Sequence, residues 1–114
     1  MDSILYSVRK KLPGISECEE FDDEIIDDIN ASLRRLNELG IGKTGFNITG
    51  PDETWTDFCG EYISNLSQIK TYVHMKVRLM FDPPSASYLL THMKNELNEM
   101  EWLLESDANS LYDY

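Results

Sequence analysis

Gly42-Lys43-Thr44 is the nearest this chain comes to a chemical motif. A phosphate-binding loop needs G-x-x-x-x-G-K-[ST] between a strand and a helix, so that bare backbone amides cradle the phosphates. Here Asn37 stands at the first glycine position, a helical pattern precedes it, and Gly45-Phe46-Asn47 opens no helix. Gly40 and Gly42 therefore read as helix-ending and loop residues, and Lys43 as no phosphate ligand. His74 and His92 fall on separate helical segments, and no His-x-x-x-His or Cys-x-x-Cys spacing occurs, so no metal site is expected. Nothing around Cys18 or Cys59 marks an activated thiolate. The many carboxylates are not paired in any cleft the pattern predicts. The residues imply no enzyme and no cofactor.

Charge narrows the classes further. The 114 residues hold 21 acids against 10 lysines and arginines, for a net charge of −11. That balance argues against binding free nucleic acid through phosphate neutralisation. The acid is concentrated: Glu17, Glu19, Glu20, Asp22, Asp23, Glu24, Asp27 and Asp28 fall in one stretch with no base among them. Two readings stand. The stretch is a solvated loop running into a helix start, where carboxylates suit the dipole, or it is a negative surface that steers a partner or repels DNA. No signal peptide is expected, because Ile4, Leu5 and Val8 are interrupted by polar residues and no cleavage site follows. Free thiols and a cytosolic setting are the corresponding expectation. No apolar run approaches the roughly 18 residues of a membrane span.

The elements that would carry any function are helices. The length suits one domain. A first helix is expected over 3–12, capped by Ser3, with Ile4, Leu5, Val8 and Leu12 on one face and Pro13-Gly14 as its stop. A second is expected over 23–39, with Asp22 as N-cap, Gly40 at C′, and Ile25, Ile26, Ile29, Leu33 and Leu36 on one face. Residues 40–60 carry five glycines and Pro51, and read as an irregular, functional loop with at most a short hairpin near Phe46-Asn47-Ile48. A third helix is expected from Glu61 or Asn65 to Phe81, stopped by Asp82-Pro83-Pro84, and a fourth from Ser85 to about Ser106. The fold class is all-α: a small four-helix domain over 1–106 and a flexible acidic tail over 107–114, in which Leu111, Tyr112 and Tyr114 are available for docking.

Two of these helices carry more apolar surface than one neighbour can cover. In the 61–81 helix, Leu66, Ile69, Val73, Val77 and Met80 make one stripe at about 100° per residue, and Tyr72, Met75 and Leu79 a second beside it. Such a helix is central to a bundle or shared with another subunit. In the last helix Leu89, Met93, Leu97, Met100 and Leu104 form the stripe, while Tyr88, Asn95 and Trp102 repeat on nearly the opposite side. Trp102 there either lies under the 40–60 loop or contacts a neighbouring subunit. The loop aromatics Trp55 and Phe58 either pack the loop down or face a partner. The candidate interface residues are thus Tyr72, Met75 and Leu79, Tyr88 and Trp102, and Trp55 and Phe58.

The run Thr71-Tyr72-Val73-x-x-Lys76-Val77-Arg78-Leu79-x-Phe81-Asp82-Pro83-Pro84, followed by Ser85, resembles head–tail connector proteins of tailed phages and prophages of Gram-positive bacteria. Ile25 to Gly40 resembles the second helix of that family, Thr54-Trp55-x-Asp57-Phe58 its loop, and Glu99-x-Glu101-Trp102 its last helix. The resemblance spans most of residues 3–105 and leaves out the acidic tail after Ser106. It implies a head-completion or adaptor subunit at the virion neck, assembled in the host cytoplasm. Such subunits form a homo-oligomeric ring, expected to be dodecameric, beneath the portal protein. The ring extends the DNA channel, lets DNA pass without specific binding, and offers a surface to a tail or stopper protein; no membrane, catalysis or cofactor is implied. The alternative reading is a free acidic inhibitor that mimics DNA.

Overall fold

The computed structural model describes residues 2–60 and 64–110. They form five helices: α1 (Ile4–Lys10), α2 (Asp22–Glu38), α3 (Trp55–Cys59), α4 (Leu66–Phe81) and α5 (Ser87–Ser110). The domain is all-α. The expected helix start at Glu61 and the tail residues Leu111, Tyr112 and Tyr114 lie outside the described residues.

The periodicity builds the core as expected. Ile4, Leu5, Val8 and Leu12 from the α1 region meet Ile25, Ile29, Leu33 and Leu36 of α2. Ile69, Tyr72, Val73 and Val77 of α4 complete the centre. α4 is the central helix, packed on α1, α2 and α5. Its second stripe is divided: Tyr72 is fully buried, while Met75 and Leu79 pack against the edge of the core. Met80, assigned to the first stripe, is exposed. At about 100° per residue Met80 falls between Ile69 and Val73, so it is still on the buried arc; it is exposed in the last turn of α4, one residue before the helix ends.

The structure differs from the sequence reading at three places. Asp22 is not an N-cap; Phe21 holds that position without a side-chain bond. The Asp22 carboxylate instead takes both bonds from Arg9 Nη1, each 2.8 Å, which ties the start of α2 to the end of α1. The 40–60 segment contains no hairpin among the described residues, only an isolated antiparallel bridge between Ser3 and Thr54. It contains instead the short helix α3, opened by a capping box in which Thr54 Oγ1 accepts from the Asp57 amide and Asp57 Oδ2 from the Thr54 amide. The Thr-x-x-Asp spacing carries that signal. Finally, α5 runs on through residues 107–110, assigned to the tail, because Ala108 is buried and its Cβ seats 3.5 Å from where a side chain on Gly40 would begin.

The loop is fastened at several points. The Ile4 amide donates to Glu53 O and the Trp55 amide to Asp2 O, at 3.1 and 3.2 Å. The Asn30 side chain clamps both backbone groups of Ile48, at 2.8 and 3.0 Å, doing for one residue what a partner strand does for many. Gly42 sits at φ +81°, and a Cβ there would lie 2.2 Å from Phe58 Cζ. The glycine is needed for the Phe58 ring, not for a phosphate. The Lys43 amide donates to Phe58 O at 2.9 Å and is not free for an anion.

Candidate functional site

One carboxylate joins three of the helices. Glu101 of α5 accepts from Arg35 Nε and Nη2 of α2 on Oε1, at 3.1 and 2.9 Å, and from the Tyr72 hydroxyl of α4 on Oε2, at 2.6 Å. Lys76 Nζ stands 3.8 Å from Oε2. Three helices thus meet at one acid. Burial works against charge on Glu101, but the bonds from Arg35 and Tyr72 and the charges of Arg35 and Lys76 outweigh it and hold the carboxyl below its usual range. Burial, and then the bond to Glu101, push the Tyr72 hydroxyl well above its ordinary value. The bond to Glu101, with help from Glu38, keeps Arg35 protonated. Sequence reasoning missed this hub. The signal was present: Glu101 follows Leu97 by one turn and precedes Leu104 by another, so an acid stands on an apolar face.

Around Trp55 a second polar chain forms. The Trp55 indole donates to Ser7 Oγ at 3.0 Å, and His74 Nε2 lies 3.4 Å from the same oxygen. Burial, with the charges of Lys11 and Lys70 adding to it, pushes His74 down to about 4, so the ring is neutral near pH 7. Lys70 bonds Asp2 at 3.1 Å. Cys18 and Cys59 are both free. Burial and then the nearby Asp2 charge push the Cys59 thiol up to about 11, the reverse of what a nucleophile needs. Among the described residues no group of three or more His, Cys, Asp or Glu stands where it would hold a metal ion. No helix among them is long and apolar enough to cross a membrane.

The seven residues singled out as interface candidates are not one patch. Trp55, Phe58 and Tyr72 are buried inside the subunit and offer a neighbour no surface. The loop aromatics pack the loop down, with Phe46 5.5 Å from Phe58 between ring centres. Met75 and Leu79 are half-buried at the edge of α4. Tyr88 and Trp102 are open to solvent, 74% and 67% exposed. Trp102 does not lie under the loop. Leu89 and Leu103, not among the candidates, share the exposure of α5. The result is a long helix attached by Leu97, Leu104 and Ala108, with Tyr88 and Trp102 uncovered on the side away from the core. A protein this small has no stability reason to hold two large aromatics there.

Two hollows flank these elements. One of about 470 Å3 lies over the loop, lined by Gly40, Gly42, Lys43, Asp57, Asn65 and Ala108 among others. The other, of about 350 Å3, opens between the end of α1, the middle of α4 and α5, lined by Lys11, Thr71, His74, Met75, Arg78 and Met93. The acidic stretch between Glu17 and Asp28 is almost unpaired: among the described residues only its Asp22 enters an ion pair.

The domain is all-α, with Tyr88 and Trp102 of its last helix open to solvent. A family model described as phage connector protein matches residues 4–110. The chain belongs to that family. The match runs from the first residue of α1 to the last of α5, and so takes in residues 107–110, of which Ala108 is buried. Membership carries a structural connector role in a phage particle. No curated protein and no solved structure matches the chain.

Proposed function

We propose that this phage connector protein is one subunit of a homo-oligomeric ring at the head–tail junction. The ring, expected to be a dodecamer, docks beneath the portal protein, extends the DNA channel and presents a surface to a tail or stopper protein. The observation that carries the reading is the uncovered side of α5 that holds Tyr88 and Trp102, with Leu103 beside it. A head-to-tail ring needs two different patches on every subunit, and a subunit with neighbours on both sides has a use for such a face. The largely unpaired acidic stretch suits a surface past which DNA slides, since fixed negative charge repels phosphates.

Purified particles test this. The chain is expected in a fixed multiple of the portal copy number, in DNA-filled heads that carry a portal. Deleting its gene is expected to leave packaged heads that leak DNA or take no tail. Quantitative mass spectrometry that finds none of the chain in particles would overturn the reading. Co-purification with a DNA-binding protein instead would favour the DNA-mimic alternative.

A further inference from the structure

The hollow between α1, α4 and α5 and the aromatic face of α5 are complementary. The hollow has Met75 and Met93 as apolar lining and Lys11 and Arg78 as charged lining. At about 350 Å3 it has room for an indole. Thioethers make favourable contacts with aromatic rings. Arg78 lines the hollow and, in a chain with twice as many acids as bases, enters no ion pair among the described residues. Lys11, exposed beside it, is also in no ion pair among the described residues.

The α5 face carries the matching groups. Glu99, Trp102 and Leu103 follow at i, i+3 and i+4 and so share one surface. Glu99 is exposed and enters no ion pair among the described residues. Trp102 and Met93 are nine residues apart, which at about 100° per residue places them on opposite sides of α5. A molecule therefore cannot fill its own hollow with its own Trp102. Because the two patches differ, pairing them between copies is heterologous, and repeats around a ring instead of closing a two-fold dimer.

We propose that the hollow of one copy receives the Trp102 face of α5 from the next, with the indole against Met75 and Met93 and Glu99 meeting Arg78 beside Lys11. This rests on the ring reading and names its two subunit surfaces. Buried tryptophans ringed by polar contacts are typical interface anchors, and a charged rim fixes register.

A charge-reversal cycle in the full chain, incubated with the portal protein of the same phage, tests the pairing. The readout is copies bound per portal at subsaturating concentration. Arg78→Glu and Glu99→Arg are each expected to lower assembly at least about tenfold, and Trp102→Ala to do the same. The double variant Arg78→Glu/Glu99→Arg is expected to recover most of the loss, because reversing both charges restores the pair between copies. Melting curves of each monomer check folding; if Arg78→Glu melts early, Lys11→Glu takes its place in the cycle. Unchanged assembly by the single variants, or a double variant no better than either single, would overturn the pairing while leaving the ring intact. A Trp102→Ala variant that still fills the portal does the same. An unaltered chain that joins no portal would overturn the ring reading, and this inference with it.

Discussion

His74 shows how a single buried residue couples this fold to pH. The ring is neutral in the folded chain, with its titration pushed from 6.5 down to about 4 by burial and by Lys11 and Lys70. A histidine whose folded value lies below its unfolded one makes no difference to stability above the unfolded value. As pH falls below about 6.5 the unfolded chain takes up the proton first, and stability is lost until the folded ring also titrates near 4. His74→Gln, which can still reach Ser7, is expected to remove on the order of 2 kcal/mol of that acid loss. Denaturant melts at pH 7 and pH 5 check it; equal pH dependence in variant and parent would refute it. Glu101 is the opposite case. Its folded value is depressed, so its contribution is present above the ordinary carboxylate range and is lost only as pH falls through the lower folded value. The His74 loss therefore begins at higher pH, and the Glu101 loss follows it at lower pH. Gly42 is the second residue with a sharp expectation. A methyl there collides with the Phe58 ring at positive φ, whereas Gly45, also at positive φ, faces open space. Gly42→Ala is expected to cost about 2–4 kcal/mol and Gly45→Ala about 1 kcal/mol, since only the first adds a clash to the backbone strain. Equal losses would mean that the Phe58 ring yields freely.

At the scale of elements, α5 depends on few attachments, and the Glu101 hub is the polar one. Glu101→Gln keeps the shape but removes the charge that Arg35 and Lys76 answer. It is expected to lower stability by about 1–3 kcal/mol, where Glu99→Gln on the open face changes it by less than about 0.5 kcal/mol. Chemical denaturation of the two variants side by side reads the difference. The same helix shows what the sequence makes legible. Leu97 and Leu104 are buried where the apolar period puts them, while Leu89 of the same stripe is exposed near the start of the helix; for Trp102 the period leaves open a place under the loop or at a neighbour, and in the structure it is exposed. The period does not reveal that Trp55, Phe58 and Tyr72 turn inward. Tyr72 lies beside the main stripe of α4, and which side of a broad apolar arc is buried depends on where α2 and α5 lie. For Trp55 and Phe58 the deciding contacts come from far along the chain: Ser7 takes the indole and Gly42 makes room for the ring. α3 was readable from Thr54-x-x-Asp57, yet one turn of helix has too few residues to show a period. Asp22 looked like a cap because the residue type fits. Arg9, thirteen positions earlier, competes for its carboxylate with two short bonds, and local pattern does not see such competition.

On the scale of the whole molecule, the net charge of −11 sets a balance between attraction and repulsion. Attraction is limited: besides the weak His92–Glu96 contact, the ion pairs among the described residues are Arg9–Asp22, Arg35–Glu38, Arg35–Glu101, Lys70–Asp2 and Lys76–Glu101. Repulsion is concentrated on the acidic stretch. At Asp28, burial first and then the charges of Asp27 and Glu24 push the carboxyl above its ordinary value, so its charge is less favourable in the folded chain than in the unfolded one. Salt screens both signs, with a reach of about 10 Å at 0.1 M. Exposed pairs contribute little, and the shielded Arg9–Asp22 and Glu101 contacts are screened least. The net effect of adding salt should therefore be relief of repulsion. The monomer's melting temperature is expected to rise by a few degrees between about 0.02 and 0.3 M sodium chloride. Asp28→Asn should give part of that gain at low salt and add little at high salt, because it removes one of the repelling charges. Among the described residues the Asp28 side chain makes no hydrogen bond that the substitution would break; Ser32 Oγ bonds its backbone carbonyl, at 3.0 Å. Melting temperatures of parent and variant across the salt series decide it. A parent whose melting temperature falls with salt would show that its ion pairs outweigh the repulsion, and an acidic stretch so compensated would no longer serve as the repelling surface assigned to it in the ring.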